Sequence, residues 1–86
     1  MISFIKEYIE KLDKDYVNGY LIKQDIYLSK DELEIVYYHL KNNWYDFIYK
    51  NNKNILEDMQ KNLSEINFNK LYDLYINALN TYGHYL

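Results

Sequence analysis

The side chains best suited to acid, base or ligand chemistry in this sequence are His39, His84 and the carboxylate pairs Asp31/Glu34 and Glu57/Asp58. A catalytic or metal-bound histidine needs help: a second histidine or a carboxylate at ligand spacing, as in HExxH, or a nucleophile beside it. His39 has no such neighbour in sequence, so it reads as a surface or boundary residue on the flank of a helix. His84 reads as a solvated residue of the tail. Asp31 and Glu34 stand three apart near a helix start, where negative charge complements the helix dipole. A hard cation wants more oxygen ligands than they offer, and no EF-hand loop supplies the rest. Glu57/Asp58 has a still less favourable geometry for sharing a cation. There is no Cys, which removes disulfides, thiolate metal sites and a cysteine nucleophile. No glycine-rich phosphate loop occurs. The expectation is a chain with no catalytic residue, no cofactor and no metal.

Charge bears on partners. Ten Lys, no Arg and 13 acidic residues give a net charge of −3, with the acidic residues scattered along the chain. Phosphate binding wants clustered positive charge and base reading most often uses Arg, so nucleic acid is not the expected partner. A helix starting near Asp13, a link at Asp25 to Leu28 and a helix starting at Ser29 have the outline of a helix-turn-helix. The residues that would meet the bases are Lys30, Asp31, Glu32 and Glu34, a face that repels phosphate. A DNA-binding role is the least favoured.

The elements that must position these residues are helices. Ser29 and Glu32 stand at capping-box spacing, Leu28 and Leu33 at staple spacing, and Asp31, Glu32 and Glu34 supply first-turn negative charge. From there Leu33, Val36, Tyr37, Leu40, Trp44, Phe47 and Ile48 form one stripe at helical period. The stripe stays in phase across Asn42 and Asn43, so one long helix to Tyr49, bent there, is preferred to two short ones. A second stripe lies roughly opposite: Ile35, Tyr38, Tyr45 and Tyr49, with Asn42 among them. Tyrosine combines an apolar ring with a polar edge and is enriched at interfaces, so these four are the candidate protein-binding residues.

Elsewhere, Ser3 can cap a first helix whose Ile5, Tyr8, Ile9 and Leu12 follow helical spacing to about Lys11. Asp13 can cap a second, weaker helix that carries Gly19 in its interior and ends near Gln24. Ile26, Tyr27 and Leu28 read as an extended link anchored by apolar side chains. After a loop over Lys50 to Asn54, Asn52 or Asn54 can cap a short helix bearing Ile55, Leu56, Met59 and Leu63. Asn67, with Ile66 and Leu71 as staple, is the expected start of a last helix that buries Leu71, Leu74, Tyr75, Ala78, Leu79 and Tyr82 and ends at Gly83.

With no Pro, few Gly and no strand alternation, the expected fold is all-α. It is a compact bundle of four to five helices around a long central helix, with residues 1–86 forming one domain. Hydrophobic residues at 49% and charged residues at 27% are globular rather than disordered proportions. No stretch approaches the roughly 18 apolar residues of a membrane span, and no signal-like N-terminus occurs. The twelve Tyr, and the abundant Asn, Lys and Ile, all have AT-rich codons, so genome composition explains the mixture in preference to selection.

The run Leu12-Asp13-Lys14-Asp15, then Ile26-Tyr27-Leu28-Ser29, then Asp31-Glu32 leading into an apolar-periodic helix, resembles the YqfT-type family of short bacterial chains. Tyr27 stands where the family pattern favours Pro, and Asn42-Asn43-Trp44 stands where it has a Gly/Lys-rich break. The resemblance spans roughly Leu12 to Leu79. It implies a short, helical, cytoplasmic bacterial protein and carries over no catalytic residue.

The expected role is that of a soluble, cytoplasmic protein–protein interaction module without catalytic activity. Its partner is another protein or a second copy of itself, giving a homodimer. The alternative is an acidic sequestering regulator or inhibitor of a nucleic-acid enzyme, of phage origin, which salt would distinguish because charge-driven binding weakens with ionic strength.

Overall fold

Helix starts in this chain are set by short polar side chains that satisfy the first free backbone N–H groups. The computed structural model describes the backbone of residues 2–49 and 53–82 and the side chains of 6–47, 53–78 and 80. Among these it forms six helices: α1 (Ile2–Lys11), α2 (Lys14–Lys23), α3 (Lys30–Asn42), α4 (Trp44–Tyr49), α5 (Lys53–Asn62) and α6 (Glu65–Tyr82). The Asp13 carboxylate accepts from Tyr16 N–H at 2.7 Å and starts α2. Ser29 starts α3 with both bonds of the capping box in place. The expected cap Ser3 lies outside the described side chains, as does Asn52, which directly precedes α5.

α2 ends as expected at Gln24, and it does so without glycine. Asp25 takes the left-handed conformation (φ 63°). Asp25 N–H donates to Ile22 O and Ile26 N–H to Leu21 O, both at 2.9 Å, which is the bonding of a Schellman motif. Its accompanying hydrophobic contact is Ile26 on Leu21, and Ile26, 2% exposed, is the deepest side chain described. Tyr27, expected to help anchor this link, is exposed.

The expected long helix is broken at Asn43, which leaves helical geometry at φ −127°, ψ 14°. Asn42 Nδ2 donates back to Tyr38 O, and Asn43 Nδ2 lies 3.0 Å from His39 Nδ1. The Asn42 side chain competes for a helix carbonyl, while Asn43 turns out of helical geometry although its N–H still reaches His39 O and its carbonyl Phe47 N–H. The count is therefore six helices rather than four to five, and the longest is the 18-residue α6. α3, with 13 residues, packs against α1, α2, α4 and α5.

The start of α6 also differs from expectation. Ser64, not Asn67, is the cap: its hydroxyl accepts from Asn67 N–H at 3.2 Å. The staple shifts with it, so buried Leu63 and the adjoining Phe68 replace Ile66 and Leu71, and Ile66 is left exposed. A serine hydroxyl three residues upstream pre-empts the asparagine, whose side chain is then free to bond elsewhere.

Two buried clusters flank α3. Val36, Ile55, Met59 and Leu63 form one, and Val17, Leu21 and Ile26 the other, with Leu28 and Leu71 packed against both. The staple residue Leu33 packs on the second cluster. α1 is tied to α3 by Lys41, whose ammonium donates to Ile9 O, Glu10 O and Leu12 O at 2.7–3.0 Å. These carbonyls lie at and just beyond the C-terminus of α1, where positive charge is favoured, and Ile9 O also accepts from Leu12 N–H at 3.1 Å. Tyr37 adds a bond from its hydroxyl to Leu12 O at 3.0 Å.

Candidate functional site

α6 carries a long apolar stripe, yet none of its described residues is buried. Leu71, Leu74 and Tyr75 are half-buried and Ala78 is exposed, where burial was expected; Leu79 and Tyr82 lie outside the described side chains. α6 is fastened through its first two turns. Asn67 Nδ2 donates to Tyr27 O and to Glu32, and Lys70 Nζ donates to Asp25 O at 2.8 Å. Beyond them the stripe faces a chamber of about 500 Å³ instead of a packed core.

Each helix contributes a wall. Ile9 and Leu12 come from α1, Val17 and Leu21 from α2, Val36 and Leu40 from α3, Trp44 and Phe47 from α4, and Leu56 and Met59 from α5. Phe68, Leu71, Tyr72, Leu74 and Tyr75 line it from α6. The Phe47 and Tyr75 rings meet at 4.2 Å between centroids, and the Tyr75 hydroxyl donates to Phe47 O at 3.1 Å, joining α6 to α4. Were a space of this size closed and dry, the cavity cost of about 24 cal/mol per Å³ would amount to about 12 kcal/mol. That is as large as the whole stability of a typical domain. The chamber is therefore open to solvent rather than a sealed, dry void.

Tyrosines stand at its mouth. Tyr8, Tyr16 and Tyr20 line the chamber while remaining about half exposed, and the Tyr8 and Tyr16 hydroxyls lie 3.2 Å apart. Tyr8 has a pKa raised above the ordinary phenol value, first by that hydrogen bond, then by desolvation and by the neighbouring Tyr16 and Tyr20. The mouth is edged by phenol rings and their hydroxyls. Tyr8 was expected at helical spacing with Ile5, Ile9 and Leu12; what periodicity could not show is that its ring borders an opening.

Comparison with protein-family models, curated proteins and solved structures gives no match to this chain.

Of the four residues expected to bind a partner, Tyr38 is 57% and Tyr45 40% exposed. Ile35 is half-buried against the Val36/Ile55/Met59/Leu63 cluster, and the Tyr49 side chain lies outside the described residues. None of the three described residues lines the chamber. The break at Asn43 puts Ile35 and Tyr38 on α3 and Tyr45 on α4, so the second stripe is divided between two helices.

His39 is not the surface or boundary residue expected. It is 8% exposed, with Nε2 at 2.6 Å from Asp58 Oδ2 and Nδ1 at 3.0 Å from Asn43 Nδ2. An amide N–H donating to Nδ1 leaves Nε2 to carry the proton toward Asp58. Both ring nitrogens are engaged, so the pair ties α3 to α5 and leaves neither nitrogen open to act as a base. Asp58 lies 19 positions away, beyond any local spacing rule. Glu34 instead pairs with Lys14. Among the described residues no group of three or more His, Cys, Asp or Glu could hold a metal ion.

Among the described residues Glu32 is the other buried polar one. One carboxylate oxygen accepts from Ser29 N–H and Asn67 Nδ2, both at 2.9 Å, and the other from Ser64 N–H at 2.7 Å. A single side chain thereby serves the starts of both α3 and α6. Burial pushes its pKa up, but the hydrogen bonds from Ser29, Ser64 and Asn67 outweigh burial and hold it below the ordinary carboxylate value.

Proposed function

We propose that this protein is a non-catalytic interaction module that binds another protein, or a second copy of itself, through tyrosines on the outer side of α3 and α4. The observation that carries the reading is the exposure of Tyr38, 57%, on a helix whose Val36, His39 and Leu40 face inward. A tyrosine ring held on a capped, well-packed helix offers a large, rigid apolar area at low entropic cost, the property for which interfaces select it. Tyr45 extends the patch onto α4, with half-buried Ile35 at its margin. The resemblance to the YqfT-type proteins agrees in fold class with this reading and adds no residue to it. The compartment, in this reading, is the bacterial cytoplasm.

Tyr38→Lys and Tyr45→Lys test it. Both rings are exposed, so the variants should keep helical content and thermal melting close to those of the parent chain. Light scattering across a concentration series should show a self-associated parent and monomeric variants, or native-extract pull-down should capture a partner on the parent alone. Association unchanged by both substitutions would refute the reading. A steep loss of binding with added salt would instead favour the acidic sequestering regulator.

Among the described residues no helix is long and apolar enough to cross a membrane.

A further inference from the structure

We propose that the chamber beneath α6 is a binding site for a neutral, largely apolar small molecule, such as a hydrocarbon chain or fused-ring body without a charged head. Its volume, about 500 Å³, falls within the range of about 300–1,000 Å³ typical of ligand pockets. A far smaller apolar cavity, of about 150 Å³, stays dry and binds benzene, so a guest of several rings or a medium chain fits here.

Neutrality follows from the walls. Among the described residues no Lys, Asp or Glu lines the chamber, so none of these walls would offset the desolvation of a carboxylate, phosphate or ammonium. The deep polar groups are already engaged. His39 contacts Asp58 and Asn43, and the Tyr75 hydroxyl is given to Phe47 O. Hydrogen bonding to a guest is left to the mouth, where the Tyr8 and Tyr16 hydroxyls can meet a single alcohol or carbonyl oxygen. The occupant is thus an apolar body buried against Leu40, Phe47, Leu71 and Tyr75, with at most one neutral polar end toward α1 and α2. This inference is independent of the Tyr38/Tyr45 interface, since neither residue lines the chamber.

The wall also carries its own reporter. Trp44 is the single tryptophan of the chain and lines the chamber. Titration of the full chain with N-phenylnaphthylamine, a neutral apolar fluorophore, should give a saturable rise in probe emission, one probe per chain, with excitation transfer from Trp44. Decanol should displace the probe, and decanoate at neutral pH should do so at least about tenfold less well, because its charge must be desolvated. Ala78→Phe places a ring at an exposed lining position and should weaken probe binding without loss of helical content. Absence of saturable binding, binding without transfer from Trp44, or equal displacement by decanol and decanoate would each overturn the proposal. Should Ala78→Phe fail to fold, the transfer from Trp44 and the decanol/decanoate pair still decide it in the parent chain.

Discussion

At Glu32, both oxygens of one buried carboxylate take hydrogen bonds from Ser29, Ser64 and Asn67, and the starts of α3 and α6 are locked together within a few ångströms. In the chamber, side chains from all six helices converge on a space of about 500 Å³. The first region is polar and saturated, the second apolar and underfilled. The difference indicates that directional bonds at helix ends fix the relative placement of the helices. Apolar burial then fills as much of the interior as that placement permits. α6 illustrates both regimes, held through its first two turns by Asn67 and Lys70 and facing the chamber beyond them.

If that contrast is right, the largest loss should come from the junction. Glu32→Ala removes the one acceptor shared by three donors at the starts of two helices, and should lower unfolding free energy by about 3 kcal/mol in a urea titration. Its pKa is held below the unfolded value, so its contribution is present above the ordinary glutamate pKa of about 4.3 and is lost as pH falls through the folded value. The urea midpoint of the parent should therefore drop on acidification, and Glu32→Gln should flatten that dependence. A parent profile identical to that of Glu32→Gln would show that the carboxylate charge contributes nothing to the lock.

Lys41→Met comes next. It keeps the apolar stem of the side chain but removes the charged donor shared by the Ile9, Glu10 and Leu12 carbonyls, of which Ile9 O keeps Leu12 N–H and Leu12 O keeps the Tyr37 hydroxyl, with an expected cost of about 2 kcal/mol, tempered by the partial exposure of the site. Hydrogen exchange should quicken in α1 before it does in α3. Uniform quickening would mean that α1 is held by its apolar face, and the polar-joint account would fail for that helix.

The polar joints were only half legible from sequence. Ser29-x-x-Glu32 and Asp13 could be read as caps because their bonds span three residues, and the structure contains them. The second oxygen of Glu32 reaches Ser64 across 32 positions, and His39 reaches Asp58 across 19; no local pattern encodes such pairings. Ser64 was overlooked because Asn67 offers the same cap chemistry three residues later. The Asn42-Asn43 break was visible as residues and outweighed by an in-phase stripe. The chamber was not legible at all, since periodicity tells which side chains face inward but not how far apart the helix axes lie. Tyr38 and Tyr45 were named from their placement on the outer stripe, and both are exposed; Ile35, from the same stripe, is drawn onto the core.

A smaller effect is expected on the exposed side of α2, away from the chamber. Gly19 lies in the helix interior, and a Cβ there would meet nothing within 4 Å. Gly19→Ala should therefore raise stability by about 1 kcal/mol through helix propensity alone. A destabilised Ala variant would mean that the helix needs the freedom of glycine at this position, contrary to its regular, uncrowded backbone.

The smallest effect discriminates most sharply between the two regions. In a close-packed core, exchanging Leu for Phe forces neighbours from their rotamers and costs about 1–3 kcal/mol. Leu74 is half-buried and lines the chamber, so the larger ring of Leu74→Phe can extend into existing space and bury a little more apolar surface. The expected result is a gain of about 0.5 kcal/mol. The sign matters more than the size, because near Glu32 no substitution is expected to help. Urea unfolding of Leu74→Phe, with and without decanol, reads both halves of the argument: a filled chamber should gain less from the ligand than the parent does. A cost within the close-packed range, or an undiminished gain from decanol, would show that Leu74, which also packs against the Val17/Leu21/Ile26 cluster, has no free space beside it.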